Sequence, residues 1–481
     1  MNSPEPLQPP EGIGEAPSRP SANHLQAAMQ AALGRQREAF LREGPPSLKV
    51  RLDRLDRALS LLLRHQDEIC NALSADFGHR SREQTLITDV MVSVRALRHA
   101  MRHVRHWMRP ERRAVDFPLN LVGAQARIEY QPKGVVGLIS PWNFPISLIF
   151  VPLAGILSAG NRVMIKPSEL TPTTSDLVAR LLAGAFSEAE VAVFVGGPEV
   201  GAAFCRLPFD HLMYTGSTAV GRLVMRAAAE NLVPLTLELG GKSPVVISRS
   251  ADLADAATKI MAGKMLNAGQ VCLAPDYVLL PEESVEPFVA HAQAAVRRMF
   301  PSLRDNPDYT SVINERHVQR LRAYLEDARS RGARLVEINP AGEDFSQQSA
   351  HKLPPTLLLD VTDDMKVMQE EIFGPLLPLR PYRWLSEAIE YINSHDRPLA
   401  LYYFGHDPHE EERVLHCTVS GGVTINDVIM HFVQQDLPFG GIGPSGMGRY
   451  GGVHGFREFS HARAVYTQTR LRRVLDLMRP P

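Results

Sequence analysis

Residues 134–169 read GVVGLISPWNFPISLIFVPLAGILSAGNRVMIKPSE, and this stretch decides the fold. A β-branched apolar run (134–139) leads through a proline-flanked turn into a helical pattern (146–159) and then a second short run (162–165). Strand, crossover helix and strand make a βαβ unit, which sets the two strands side by side and parallel. From Gly134 to Asn161 the stretch holds no charge and is long enough to span a bilayer. Pro141, Asn143, Pro145 and Pro152 interrupt it. Each proline removes a backbone donor, so a buried strand, turn and helix are expected and a membrane span is not.

The same alternation continues outward. Strand-like runs lie at 191–195, 211–214 and 244–247, with helical patterns at 173–186 and 218–229. A second strand–helix series runs from about 252 to 421. Upstream, leucines and alanines recur at helical spacing over 24–42 and 47–75, and a third helix is expected over 81–108. Its end is basic, with Arg95, Arg98, Arg102, Arg105 and Arg109 around His99, His103 and His106. No carboxylate or cysteine joins those histidines, so a solvated or subunit-facing surface is expected there rather than a metal site. Residues 1–23 carry six prolines and few large apolar side chains, the composition of a disordered tail. A chain of 481 residues exceeds one compact core, so the reading is an α/β protein of two or three domains.

Composition narrows the functions. A formal net charge of −1 offers no global attraction for nucleic acid or an anionic membrane. Cys70, Cys205, Cys272 and Cys417 are scattered without a CxxC pair, which suits a reducing cytoplasm and neither a disulfide framework nor a cysteine zinc site. No basic segment followed by an apolar run opens the chain, so no secretory signal is expected.

Four short segments ask for more than packing: Ser140-Pro141-Trp142-Asn143-Phe144-Pro145, Lys166-Pro167-Ser168-Glu169, Glu238-Leu239-Gly240-Gly241-Lys242 and Asn267-Ala268-Gly269-Gln270-Val271-Cys272. The first two follow strands, where ligands gather in open α/β sheets. Singly, each has a bland reading. Asn143 reads as a turn residue, Lys166 as a loop lysine, Glu238 as a turn carboxylate and Cys272 as a small buried hydrophobe.

Together, in this order, they resemble the aldehyde dehydrogenase superfamily over residues 25–470. Glu370-Glu371-Ile372-Phe373-Gly374-Pro375, Pro438-Phe439-Gly440-Gly441 and Gly216-Ser217-Thr218-Ala219-Val220-Gly221 extend the match. The glycines of that last segment, opening a helix, suit a pyrophosphate. The resemblance implies a Rossmann-type parallel-sheet cofactor domain over 24–240, with 111–131 contributing to a bridging β arm. It further implies a second α/β catalytic domain over 241–425, a return to the cofactor domain over 426–455, and an oligomerisation segment over 456–481.

The resemblance also assigns roles. Cys272 would be the nucleophile, with the Asn143 amide and the Cys272 N–H holding the oxyanion and Glu238 activating water. Lys166 and Glu169 would bind the adenosine ribose, and Glu371 the nicotinamide ribose, with Phe373 beside it. Gly216, Ser217, Val220, Gly221 and Leu239 would form the phosphate and adenine side, while Ile139 and Trp142 would line the cofactor cleft. Glu169 favours NAD by repelling a 2′-phosphate, with NADP left open. Phe209-Asp210-His211, Cys272-Leu273-Ala274-Pro275 and Phe459-Ser460-His461 resemble the class-3-like branch, bacterial coniferyl-aldehyde dehydrogenases among them. That branch implies an aromatic or medium-chain aldehyde, a homodimer, and a substrate tunnel near Phe144, Ser147, His431 and Phe432. Two alternatives stand beside it: an acylating enzyme passing the thioester to coenzyme A, whose members generally lack the base at Glu238, and a non-catalytic binding protein.

Overall fold

The computed structural model describes residues 22–469 except 347 and 349, and three sheets organise them. Within 134–169 the βαβ unit is present as Val135–Ile139, Ser147–Ala159 and Arg162–Lys166, with Ile139 level with Lys166 in a parallel pair. Its strands belong to a six-stranded sheet ordered Gly446–Met447, Leu235–Glu238, His211–Thr215, Val135–Ile139, Arg162–Lys166, Val191–Val193. Only Gly446–Met447 runs antiparallel to its neighbour. Every residue of the three central strands is buried, because helices cover both faces, and this is why those strands are continuous apolar runs without alternation. Helix Ser147–Ala159 is apolar all round for the same reason. It lies against Leu48–Arg64 and Val92–Trp107, and left-handed Gly160 (φ +93°) ends it.

A seven-stranded sheet is drawn from residues 244–425, in the order Arg334–Glu337, Thr356–Leu359, Leu376–Tyr382, Tyr277–Pro281, Pro244–Ile247, Ala400–Phe404, Gly422–Ile425. It too is parallel apart from its first strand. The third sheet is antiparallel and joins Glu111–Arg113 and Gln125–Pro132 to Ser460–Thr467.

The helical expectations need correction in two places. The pattern at 47–75 is two helices, Leu48–Arg64 and Gln66–Phe77, parted at His65 (φ −114°, ψ 26°). The pattern at 81–108 is a short helix Arg82–Thr85, a wider π turn Leu86–Met91 and a helix Val92–Trp107. The π turn carries Asp89, a buried carboxylate whose partners fix its place. On the last helix the arginines and His106 are exposed, whereas His99 and His103 turn inward, with His103 stacked on Trp107 and its ring 4.2 Å from that of His99. Ala22 already opens the first helix, Ala22–Glu43; the remainder of the 1–23 expectation, and residues 470–481 of the C-terminal one, lie outside the described residues. Among the described residues no helix is long and apolar enough to cross a membrane.

Candidate active site

Sheet register brings the first group of site residues level. Ile139 sits opposite both Lys166 and Tyr214, and Thr215 sits opposite Glu238, so all of them crowd the carboxyl ends of parallel strands. The chain leaves Ile139 through a turn in which the Ser140 N–H still donates to the Lys166 carbonyl (3.1 Å), and this turn delivers Asn143.

Cys272 arrives from the other sheet's side on a backbone few residues tolerate. Asn267, Ala268 and Gly269 are all left-handed (φ +50°, +51° and +75°), an arrangement that survives only where surroundings impose it. Here they do. The Gln84 side chain accepts the Asn267 N–H (3.0 Å), and Gln270 donates to the carbonyls of Asn267 (2.9 Å) and Ser311 (3.0 Å). Gln270 also accepts from the Ile313 N–H (2.9 Å). At Gly269 a Cβ would fall on the Gly374 carbonyl, so only glycine fits.

A cavity of about 240 Å³ lies between these arms. Asn143, Glu238 and Cys272 line it together. On its cofactor-candidate side it is bounded by Trp142, Gly216, Ser217, Leu239, Glu371 and Phe373. Ile139, Lys166, Glu169, Val220 and Gly221 do not line it. The first three stand at or just beyond the neighbouring strand ends, and the last two on helix Thr218–Ala229 behind the glycine turn. Phe144, Ser147, His431 and Phe432 do not line it either; Leu148, Leu399, Phe439 and Tyr450 occupy the walls.

Asn143 is fixed from several directions. Its Nδ2 donates to the Gln270 carbonyl (3.1 Å), and its own carbonyl accepts from Arg80 (2.7 Å) and from Asn267 Nδ2 (3.1 Å). Cys272 keeps some surface open to the cavity, yet the surrounding protein excludes bulk water. That burial pushes the thiol up to about 12, with the Glu371 and Glu238 carboxylates adding to the effect. Glu238 is 3% exposed and both its carboxylate oxygens lack hydrogen-bond partners; burial, then Glu458, drives it well above the usual carboxylate range. Glu371 rises to about 8 through burial and then Asp276.

The Glu370–Phe373 turn is fastened from three sides. Arg320 donates to the carbonyls of Glu371 (3.3 Å) and Phe373 (3.2 Å), and Asp276 accepts the Ile372 N–H (3.0 Å). Lys242, ion-paired with Asp276, donates to the carbonyls of Val367 (2.8 Å) and Glu370 (3.0 Å). Phe373 (φ +45°) meets the Trp142 ring edge-on at 5.4 Å, and the His317 ring lies 5.2 Å from that of Trp142. Burial holds His317 down to about 4, so it is neutral at pH 7. Sequence reasoning missed His317, Arg320, Leu399 and Tyr450. The only signal was a helix start at Asn314 with His317 and Arg320 on one face, which nothing ties to a strand end.

The residues fit a polar, phosphate-bearing cofactor. Gly216 and Ser217, which line the cavity, lead directly into helix Thr218–Ala229, and Ser217 caps it by accepting from the Val220 N–H (3.4 Å). Gly221 passes so close to Leu239 that a Cβ would lie 2.6 Å from it. Gly240 has no room for a side chain beside the Glu371 carboxylate. Thr215 Oγ1 and Glu371 Oε1 are buried without partners at the cavity wall, donor and acceptor positions that a polar ligand completes. Beside it, Lys166 is buried and ion-paired with half-exposed Glu169 (2.6 Å).

Known proteins resemble this chain over nearly its whole length. The profile of the aldehyde dehydrogenase family matches residues 11–465. A Caulobacter vibrioides protein named probable coniferyl aldehyde dehydrogenase is 61% identical over 454 residues, 94% of each chain. The coniferyl aldehyde dehydrogenase of a Pseudomonas species is 56% identical over 451 residues, 94% of this chain and 93% of that one. Among solved structures, the substrate-bound state of Staphylococcus aureus AldH superposes with a TM-score of 0.86 at 35% identity, over 92% of this chain and 95% of that one. The chain belongs to the aldehyde dehydrogenase family, whose enzymes oxidise aldehydes with NAD(P).

Proposed function

We propose that the protein oxidises an aromatic aldehyde of the coniferyl type to its carboxylic acid, with Cys272 as covalent nucleophile and NAD as preferred cofactor. The observation that carries this reading is the convergence of Asn143, Glu238 and Cys272 on one cavity. The aldehyde class rests on the names of the two bacterial relatives and on the aromatic walls Trp142, Phe373, Phe439 and Tyr450.

The Cys272 sulfur adds to the aldehyde carbon as its proton passes to the Glu238 carboxylate, which gives it up to solvent before the second half of the cycle. The resulting thiohemiacetal oxyanion is held by the second Nδ2 hydrogen of Asn143, the first being committed to Gln270, and by the Cys272 backbone N–H. The nicotinamide of a bound cofactor supplies the hydride acceptor. Loss of hydride from the substrate carbon leaves a Cys272 thioester. Glu238 takes a proton from water, whose oxygen adds to the thioester carbon, and the acid leaves as the thiol is restored.

The remaining residues bind and orient. Lys166 and Glu169 hold the adenosine ribose, and the Glu169 carboxylate disfavours a 2′-phosphate. Gly216, Ser217 and Gly221 shape the helix start that receives the pyrophosphate, with Val220 and Leu239 beside the adenine side. Glu371 takes the nicotinamide ribose between Phe373 and Trp142, with Ile139 behind. On this reading the six-stranded sheet carries the cofactor, residues 241–425 carry the nucleophile, and the three-stranded sheet bridges two copies in a cytoplasmic homodimer.

The test is NADH formation from coniferyl aldehyde without coenzyme A, followed by kcat/KM across cinnamyl, benzyl and linear aldehydes. A strict coenzyme A requirement overturns the hydrolytic step, and a preference for linear chains overturns the substrate class. Cys272→Ala should abolish turnover and retain NAD binding.

A further inference from the structure

Beneath the turn that carries Asn143 lies an ion pair that the chemistry above does not use. Arg80 and Asp89 are joined at 2.6 Å, and both side chains are fully buried. Burying two charges is costly unless their polar atoms find partners, and here every one but Arg80 Nε does. The partners show what the pair holds in place. Arg80 sends its other terminal nitrogen, Nη1, to the Asn143 carbonyl at 2.7 Å. Asp89 uses its other oxygen to accept the N–H groups of both Ile146 and Ser147, at 3.1 Å each. One ion pair thus grips both ends of the turn from Asn143 to Ser147.

The placement of each partner is itself constrained. Asp89 sits in the π turn Leu86–Met91, where the helix is widened by one residue per turn, a feature that recurs at functional sites. The Arg80 guanidinium lies 4.8 Å from the Phe77 ring centre and 5.1 Å from that of Phe144. Arg80 also shares its acceptor: the Asn143 carbonyl receives Asn267 Nδ2 at 3.1 Å, and the same Nδ2 reaches the Gln270 carbonyl at 3.2 Å. The Asn143 amide meets that carbonyl too. The grip on the turn therefore continues into the loop that presents Cys272.

We propose that Arg80 and Asp89 are positioning residues that set the Asn143 amide against the Cys272 loop, and thereby the strength of the oxyanion site. This rests on the oxyanion role given to Asn143. A guanidinium has the fork to serve Asp89 and the Asn143 carbonyl at once, whereas a lysine ammonium on the same path satisfies one of them well. The loss should therefore appear in the chemical step rather than in substrate binding, because a donor displaced by a fraction of an ångström matters most where charge develops.

A double-mutant cycle tests this, using Arg80→Lys, Asn143→Ala and the pair, with single-turnover hydride transfer and NAD affinity measured on each full-length protein. Arg80→Lys should slow hydride transfer about 10–100-fold, with NAD affinity within about twofold of the parent. In the Asn143→Ala background the same change should cost about threefold or less, since no amide remains to be positioned. An equal loss in both backgrounds overturns the proposal and makes the pair a general structural element. A normal rate in Asn143→Ala alone overturns the oxyanion reading instead. Should Arg80→Lys fail to give NAD-binding protein, Asp89→Asn runs through the same cycle: it keeps the shape and one acceptor oxygen, and the same two outcomes decide.

Discussion

Asn143 and Gln270 stand 127 residues apart in the chain, and the Asn143 amide donates to the Gln270 carbonyl at 3.1 Å. That bond ties the turn after the first central strand to the loop two residues before Cys272. It commits one hydrogen of Nδ2 and leaves the other for the cavity. Asn143→Ala should lower kcat/KM by about 10²–10³ with a smaller change in KM, the cost of one preorganised oxyanion donor. Steady-state rates with a single aldehyde check it, and a parent-like kcat would remove Asn143 from the mechanism.

Cys272 should be a sluggish thiol in the cofactor-free protein. Its proton affinity is raised to about 12 by burial and by two nearby carboxylates, so almost no thiolate exists at pH 7. Alkylation by iodoacetamide, followed at the Cys272 peptide by mass spectrometry, should accelerate with pH up to at least 10 without a plateau. Exposed Cys417 provides an internal reference in the same digest. A plateau for Cys272 near pH 7 would show that the surroundings favour the thiolate after all.

Glu371 gives a stability prediction whose sign runs against the common carboxylate case. Its folded value of about 8 lies above its ordinary value of 4.5, so folding favours the protonated form. The associated stability is present in full below pH 4.5 and is lost as pH rises through about 8. Glu371→Gln does not titrate. Its stability advantage over the parent should be near zero at pH 4 and grow to about 1–3 kcal/mol above pH 8, discounted because part of the side chain faces the cavity. Denaturant unfolding of both proteins at the two pH values measures it; a pH-independent difference contradicts the buried-carboxyl account.

How much of this was legible in the sequence depended on whether a feature is local. The βαβ unit at 134–166 shows in apolar runs and a proline-flanked turn, and helix Thr218–Ala229 follows its glycine turn to the residue. The Cys272, Glu238 and Asn143 segments were recognisable because each is short and contiguous. His317, Arg320 and Tyr450 were not, since they reach the cavity from a helix and a loop with no recognisable motif around them. Asp89 looks like any helical aspartate until the π turn buries it against Arg80. Long-range pairing of that kind leaves no periodic trace in one sequence.

In the proposed cycle Glu238 separates the two halves. Both its oxygens are buried and unpartnered, so nothing in the protein competes with water for them. Glu238→Gln removes the base without removing the nucleophile, and should release at most about one NADH per site in a rapid phase and then stall. Stopped-flow absorbance at 340 nm follows the burst. Continued turnover at the parent rate would assign the base elsewhere.

Gly269 is where the loop that presents Cys272 is most exposed to disruption. It combines a φ of +75° with an approach to the Gly374 carbonyl so close that a Cβ would overlap it. Gly374 lies next to the Glu370–Phe373 turn, so the strain of an added methyl group falls on both the nucleophile's loop and the turn that Arg320 holds. Gly269→Ala should cost about 2 kcal/mol or more, from the left-handed backbone and the clash together. It should also lower kcat further than the shift in Tm implies, because relaxation moves the Cys272 backbone N–H away from the Asn143 amide. Measuring Tm and kcat on one preparation separates the two effects. A variant that loses stability but keeps its rate would show that the loop yields on the side away from the cavity, leaving the nucleophile in place.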